Sequence, residues 1–233
     1  MRDPKFFRRY DYDRGLLPNA HLQDLDDVSD LAEAKERSGW SIGYPGWGLL
    51  YYLVMTSLDH DGHNTIVETG TNHGSSTIVL AQALLDSKVS GQVHTFEIDE
   101  DFFARAQKNL GLAGVTDVVS QYFGDAKSLL AGVLDEIDTV QVAFLDGSHL
   151  VIDVLEEFAA VHAKLARNGL VILDNTYRIA DVDEDQRVHG ALATIVSNYG
   201  GNLINFPSVS WYTPGVAIWQ QHPFDVQWDG LLT

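Results

Sequence analysis

From Thr65 onward, short apolar runs alternate with longer stretches whose apolar residues recur at helical spacing. TIVETG, QVHTFEID, VVSQYFGD, TVQVAFLDG and GLVILDN read as five strands. SSTIVLAQALL, DEDFFARAQKNLGL, AKSLLAGVL and VIDVLEEFAAVHAKL read as the helices between them. Regular alternation of this kind calls for an α/β fold with a parallel sheet covered by helices on both faces. The acidic loop RIADVDEDQRVHG follows the fifth strand, then the helix ALATIVSNYG. LINFPSV and VAIWQQ, separated by a turn at TPG, read as a terminal β-hairpin.

Before Thr65 the pattern is looser. In HLQDLDDVSDLAEAKERSG, helical spacing joins Leu22, Leu25, Val28, Leu31 and Ala32, with a stop at Gly39. SIGYPGWG reads as a loop and LLYYLVMTSL as an apolar helix. The expected division is an N-terminal helical arm or lid over residues 1–40 and one domain over 41–233. The arm's position would also let it carry contacts in a homodimer. No internal repeat or low-complexity tract is visible.

Composition narrows the class. With 233 residues, 45% of them hydrophobic, the chain can bury one substantial core. The opening MRDPKFFRRYDYDRG is charged and does not resemble a secretory signal, and the apolar runs are too short to span a bilayer. The absence of Cys excludes disulfides, a thiolate nucleophile and a Cys-based zinc site. A soluble, cytoplasmic protein is expected. Its 33 acidic against 15 basic residues disfavour nucleic acid and anionic membrane as partners. That charge reads first as solubility or a salt-tolerant host. A local excess of carboxylates can also attract a divalent cation, and only position decides between them.

The loop VETGTNHGSST joins the first strand to its helix, with Glu68 before Gly70 and Gly74. Glycines at such a turn let backbone N–H groups approach a ligand. Their G-x-x-x-G spacing is not the G-x-G-x-x-G of nicotinamide dehydrogenases, and by itself it also suits an ordinary connection. Glu97 ends the second strand, where an acid can accept both hydroxyls of a ribose. Asp99, Glu100 and Asp101 after it suit a helix start. Asp125, in Gly124-Asp125-Ala126 after the third strand, suits either an adenine amino group or a helix N-cap.

In order and spacing, VETGTNHGSST, Glu97 and Gly124-Asp125-Ala126 resemble the class I S-adenosylmethionine-dependent methyltransferases, over about Thr65 to Gln220. The resemblance implies a doubly wound, Rossmann-like sheet of seven strands, mostly parallel with an antiparallel last strand. It also implies S-adenosyl-L-methionine as cofactor, held by Glu68, Gly70, Thr71, Gly74, Ser75, Ser76, Glu97, Asp125, Ala126 and Asp146. The uncharged loop agrees with a sulfonium cofactor that carries no phosphate. Tyr44 and Trp47 suit either a wall over that cofactor or plain packing.

Two strands end abruptly in polar residues, FLDGSH and ILDNT, which bring Asp146, His149, Asp174 and Asn175 to the carboxyl edge of the sheet. Open α/β sheets bind ligands there. Asp and Asn are also ordinary turn residues, so one such end alone says little. Two carboxylates and an amide carbonyl together are hard donors suited to Mg²⁺, or to Ca²⁺ or Mn²⁺. The pattern resembles metal-dependent O-methyltransferases. The catechol and caffeoyl-CoA enzymes carry an Asp and an Asp-Asn as Asp146 and Asp174-Asn175 stand here, with Lys in place of His149. Macrolide-sugar O-methyltransferases carry the D-x-x-H of Asp146 to His149, with an acid in place of Asn175. Cephalosporin-hydroxylase-like relatives carry a similar site with other chemistry.

The implied reaction is methylation of a hydroxyl on a small polyol such as a sugar unit, with Asp146, Asp174 and Asn175 as metal ligands and His149 as general base. A phenol or catechol acceptor is the alternative enzyme reading, and a non-catalytic cofactor-binding protein the alternative of another class. The acidic loop 178–190 suits a substrate lid that disfavours anionic acceptors. His73 and His189 could reach the same cavity, whereas His60, His63, His94, His162 and His222 have no special position.

Overall fold

Ile66 and Val67, neighbours in strand β1 (Asn64–Thr69), face two different hydrophobic cores. The same split recurs along the chain. Val142 and Phe144 of β4 (Val140–Leu145) join one core while Ala143 and Leu145 join the other. Such strands are buried on both sides and therefore read as continuous apolar runs rather than as alternating ones. The computed structural model describes residues 13–39, 41, 43–177, 187–206 and 215–221.

In chain order the remaining elements are α1 (Ala20–Asp26), α2 (Leu31–Ser38), α3 (Gly46–Ser57), α4 (Ser75–Ser87), β2 (Gly91–Glu97) and α5 (Glu100–Ala113). They continue with β3 (Val119–Phe123), α6 (Ala126–Asp135), α7 (Val151–His162), β5 (Leu165–Asp174), α8 (Val188–Tyr199), β6 (Asn202–Phe206) and β7 (Val216–Gln220). The seven strands lie in the order β3-β2-β1-β4-β5-β7-β6. Strands β1 to β5 are parallel, and β7 runs antiparallel to both β5 and β6. This is the doubly wound, seven-stranded sheet expected from the sequence. Strand order reverses between β1 and β4, which pair directly, so their carboxyl ends flank the crevice that such a reversal opens. β5 lies one place further out.

Residues of α1, α3 and α4 build the core on one face of the sheet, with Leu22, Trp47, Leu50, Ile78 and Leu84 fully or almost fully buried. Residues of α6, α7 and α8 build the other, around Phe158, Ile195 and Trp219. Side chains end the helices where the sequence supplies caps. Asp99 accepts from the Asp101 and Phe102 amides at the start of α5, and Gly114 closes it at φ 70°.

Three boundaries differ from the sequence reading. α3 starts at Gly46, inside the stretch read as a loop, with Pro45 at its N-cap. The amphipathic stretch over 21–39 is two helices, because Asp30 caps α2 by accepting from the Ala32 and Glu33 amides and so interrupts the run after Asp26. Buried Leu22, Leu25 and Val28 keep one apolar side through the break. β5 starts at Leu165, a residue that helical spacing assigned to the preceding helix, and its pairing with β4 is irregular between Val140 and Val142. The turn at TPG falls outside the described residues up to Pro214.

Trp219 holds the α7–α8 core to the last strand. It is fully buried, stacks edge-on to Phe158 at 5.1 Å and donates its indole N–H to the Gly200 carbonyl at 2.8 Å. Gly201 (φ +79°) leaves room for it, since a Cβ there would lie 2.6 Å from the indole. Trp219→Ala should lower unfolding free energy by about 3–5 kcal/mol in urea denaturation, and a loss under about 1 kcal/mol would contradict this packing.

Candidate active site

The loop after β1 is pinned by backbone contacts. Gly70 sits at φ +84°, and a Cβ on it would lie 2.3 Å from the Asp146 carbonyl oxygen, so the two chain segments touch main chain to main chain. Asp146 N–H donates to the Thr69 carbonyl at 3.0 Å, and the Gly70 and Thr71 amides both donate to the Phe96 carbonyl at 3.0 Å. Gly74, also at φ +84°, opens α4 without a side-chain cap. The first-turn amides of α4 therefore have no side-chain acceptor, and the buried Ser75 hydroxyl beside them has no partner. Such a helix start suits an anionic group.

Glu97 closes the next strand and is 6% exposed. Its Oε2 accepts from the Asn72 amide at 2.6 Å and its Oε1 from the Asp99 amide at 2.9 Å. Both oxygens are thereby fixed, each with a lone pair to spare for a hydroxyl. Asp125 is the N-cap of α6, accepting from the Lys127 amide at 3.1 Å and more weakly from the Ser128 hydroxyl at 3.4 Å. Lys127 then ties α6 to α7, with its ammonium 2.6 Å from Asp153 and 3.1 Å from Glu156.

At the ends of β4 and β5 stand Asp146, His149, Asp174 and Asn175. Asn175 adopts a left-handed backbone (φ 56°), which Asn tolerates better than most residues. Its amide nitrogen lies 3.1 Å from Asp146 Oδ1 and 3.2 Å from His149 Nε2. With the Asn175 amide nitrogen on this side, His149 Nε2 accepts in the Nδ1–H tautomer. Asp174 is buried, and its Oδ1 has no hydrogen-bond partner. Burial pushes both aspartates above the usual carboxylate range, and for Asp146 the neighbouring Asp174 charge adds to it. Partial desolvation on the cavity wall, helped by the nearby Arg187, holds the His149 imidazole below its ordinary value. Among the described residues, no group of three or more His, Cys, Asp or Glu converges as a ready metal shell. The donors on offer are two carboxylates and one amide.

One cavity of about 950 Å³ joins these parts. Gly70, Thr71, Ser75 and Ser76 form one side of it, and Glu97, Asp125 and Ala126 the next. Asp146, His149, Asp174 and Asn175 also border it. Other sequence candidates lie elsewhere. Glu68 is fully buried, where its Oε2 accepts from Thr77 and, at 2.6 Å, from Thr95, while Oε1 has no partner. Gly74 backs onto Ala106. Tyr44 packs against the α3–α4 core, and the fully buried Trp47 donates to the Ser41 hydroxyl at 3.1 Å. His73 borders a neighbouring cleft, and His189 contacts the Thr176 carbonyl at 3.0 Å. Of the acidic loop, 178–186 lie outside the described residues.

The sequence reading missed Asp153 and Glu157 of α7, which line the cavity. Glu157 did leave a signal. It shares the buried stripe of Val154, Phe158 and Val161, where an acid is out of place without a reason.

Comparison with known proteins agrees with the geometry. A family model described as a methyltransferase domain matches residues 67–176. The chain has the class I methyltransferase fold, and the matched segment covers that sheet from β1 to the end of β5. A curated catechol O-methyltransferase from Niastella koreensis is 31% identical over 129 residues, which span 54% of this chain and 56% of that protein. The chain thus matches a little over half the length of that relative. The O-methyltransferase TomG from Streptomyces achromogenes, solved with SAM and involved in tomaymycin synthesis, superposes with TM-score 0.70 at 21% identity. An O-methyltransferase from Bacillus cereus solved with SAH gives 0.70 at 19%. Each covers 88% of this chain and 91% of the other.

Burial raises the Glu68 carboxyl to about 7, against the hydroxyl groups that donate to it. An acid whose folded pKa lies above its unfolded value stabilises fully below the unfolded value, and that contribution is lost as pH rises through the folded one. Urea unfolding in EDTA should therefore show stability falling from pH 5 to pH 8. Glu68→Gln should reduce that fall by up to ~3 kcal/mol. An identical pH slope in the variant would contradict a buried, titrating Glu68.

Proposed function

We propose that this chain is an S-adenosylmethionine-dependent O-methyltransferase that uses a divalent cation to methylate a hydroxyl of a small polyol, such as a sugar unit. One observation carries the reading: a buried and a half-buried carboxylate, an asparagine and an imidazole share a cavity with an uncapped helix start and a glycine turn.

The cofactor fits the donors and acceptors present. Its carboxylate suits the α4 start and the unpartnered Ser75 hydroxyl, and its ribose hydroxyls suit the spare lone pairs of Glu97. The loop over 70–77 has no Lys or Arg, as a ligand without phosphate allows.

The cation fits as well. Asp146 and Asp174 repel each other, and the N–H dipole of Asn175 on Asp146 is a weak counter-charge for the pair. The orphaned Asp174 Oδ1 is a vacant oxygen ligand, and Mg²⁺ is the hard ion such donors favour. When bound by Asp146, Asp174 and Asn175, it would lower the pKa of a chelated hydroxyl and supply positive charge beside it.

The chain's own residues account for the rest. Methyl transfer would require the cavity walls to align an acceptor oxygen with the sulfonium methyl, roughly 3 Å apart. Transfer forms one C–O bond and breaks one C–S bond, whose electron pair stays on sulfur. The hydroxyl proton passes to His149 Nε2, which the lowered pKa keeps neutral and ready to accept. The overall charge and the acidic 178–186 segment favour a neutral acceptor over an anionic one. A vicinal diphenol is the second reading, favoured by the name of the curated relative.

Asp146→Ala or Asp174→Ala should abolish turnover while S-adenosylhomocysteine binding, read by calorimetry, stays within about fivefold; full turnover in excess EDTA would remove the cation from the mechanism. His149→Ala should lower kcat by roughly 10²–10⁴-fold with cofactor affinity retained. A mass-spectrometric screen for a 14 Da gain, with glycosides and vicinal diphenols side by side, decides the acceptor class. No methylated product from either would count against the transferase reading.

A further inference from the structure

Past Gly147 the cavity reaches the side of α7, where Glu157 forms part of its wall. Glu157 is 3% exposed on the face of α7 that carries Val154, Phe158 and Val161 into the core. Its Oε2 accepts from the Thr69 hydroxyl at 2.7 Å. A carboxylate has about four acceptor sites, so this single donor leaves the group under-satisfied. Burial accordingly lifts it to about 7. Gly147 keeps the approach open, since a Cβ there would lie 3.2 Å from the Thr69 hydroxyl and 3.5 Å from Glu157 Oε1.

The other acids at this end are engaged. Asp125 caps α6 through the Lys127 amide at 3.1 Å and the Ser128 hydroxyl at 3.4 Å. Asp153 takes the Lys127 ammonium on one oxygen and the Ser148 hydroxyl on the other, both at 2.6 Å. Of Asp125, Asp153 and Glu157, Glu157 is the one with a carboxylate oxygen, Oε1, that no donor reaches. What such a site lacks is an N–H from the ligand. Adenine has one donor on its pairing and groove edges, the exocyclic amino group, and its ring nitrogens there only accept.

We propose that Glu157 Oε1 accepts a hydrogen bond from the adenine amino group of the cofactor, which makes Glu157 the residue that selects the base. The proposal rests on the S-adenosylmethionine reading above. It assigns the task to an acid on α7 rather than to Asp125, which caps the start of α6. A purine with a carbonyl oxygen in place of the amino group would present an acceptor to an acceptor and be rejected.

Calorimetry on the full chain at pH 8 tests this with S-adenosylhomocysteine and S-inosylhomocysteine. The wild type should prefer the adenosyl form by about tenfold or more. Glu157→Leu should cut that preference below about threefold, chiefly by weakening the adenosyl form. Glu157→Gln should retain it, because an amide oxygen accepts while the amide nitrogen serves Thr69. Should Glu157→Leu fail to fold, the carboxyl ¹³C resonance of Glu157, assigned by its loss in Glu157→Gln, carries the same test. S-adenosylhomocysteine should lower its titration midpoint and the inosyl analogue should not. Adenosyl binding with unchanged selectivity in Glu157→Leu, or an unmoved midpoint, overturns the role of Glu157 alone. Failure of the wild type to bind S-adenosylhomocysteine overturns the cofactor reading together with it.

Discussion

The contact between the Gly70 turn and the end of β4 is the constraint on which the site depends. A side chain at position 70 would overlap the Asp146 carbonyl, and the Asp146 amide already holds the last carbonyl of β1. These two backbone contacts fix where β1 and β4 stop relative to each other. Everything functional is then placed by short tethers from that junction. Glu157 reaches the Thr69 side chain, Asn175 reaches Asp146 and His149, and the Phe96 carbonyl anchors the turn toward Glu97. Catalytic geometry needs positions held to about half an ångström, which main-chain contacts supply better than mobile side chains do.

That junction carries an electrostatic load. Glu68, Glu157 and Asp174 are buried and Asp146 is half-buried, and desolvation raises the pKa of each. Buried carboxylates short of donors cost stability, so the surrounding cores must compensate. The two apolar clusters do this from opposite faces of the sheet, with Trp47 and Phe144 on one side and Phe158 and Trp219 on the other. Ligands able to donate protons or bring positive charge would relieve the same strain that the empty acceptors create.

Much of this was legible from residue patterns, for reasons that differ by element. The central strands are buried on both faces, which gives unbroken apolar runs, and their polar ends at Asp146 and Asp174 stand out against them. The break between α1 and α2 was hidden because the apolar spacing of Leu22, Leu25 and Val28 continues through it, and only the capping geometry of Asp30 marks the stop. Asp125 could not be divided between cap and ligand, since both roles ask for the same residue at the same place. Glu157 was passed over because helical spacing explains a position and says nothing about the partner it faces across space. Its hydroxyl donor is 88 residues away.

The composition of the cavity wall argues for the kind of ligand it takes. Glu97, Asp125, Asp146, Asp153, Glu157 and Asp174 line it, and among the described lining residues Lys127 is the one Lys or Arg. That ammonium is already paired with Asp153 and Glu156, leaving little positive charge to meet a phosphate. A dinucleotide would place anions against this wall at a Coulombic cost that grows as the cavity closes to water. The proposed methyl donor differs in the way the wall requires: its sulfonium and ammonium are cationic, its ribose and amino groups donate, and its carboxylate has the α4 start to itself. A divalent ion at Asp146 and Asp174 belongs to the same logic. The acidity that looks like general solubility across the whole chain becomes, at this one crevice, a specificity for positively charged and hydrogen-bond-donating ligands.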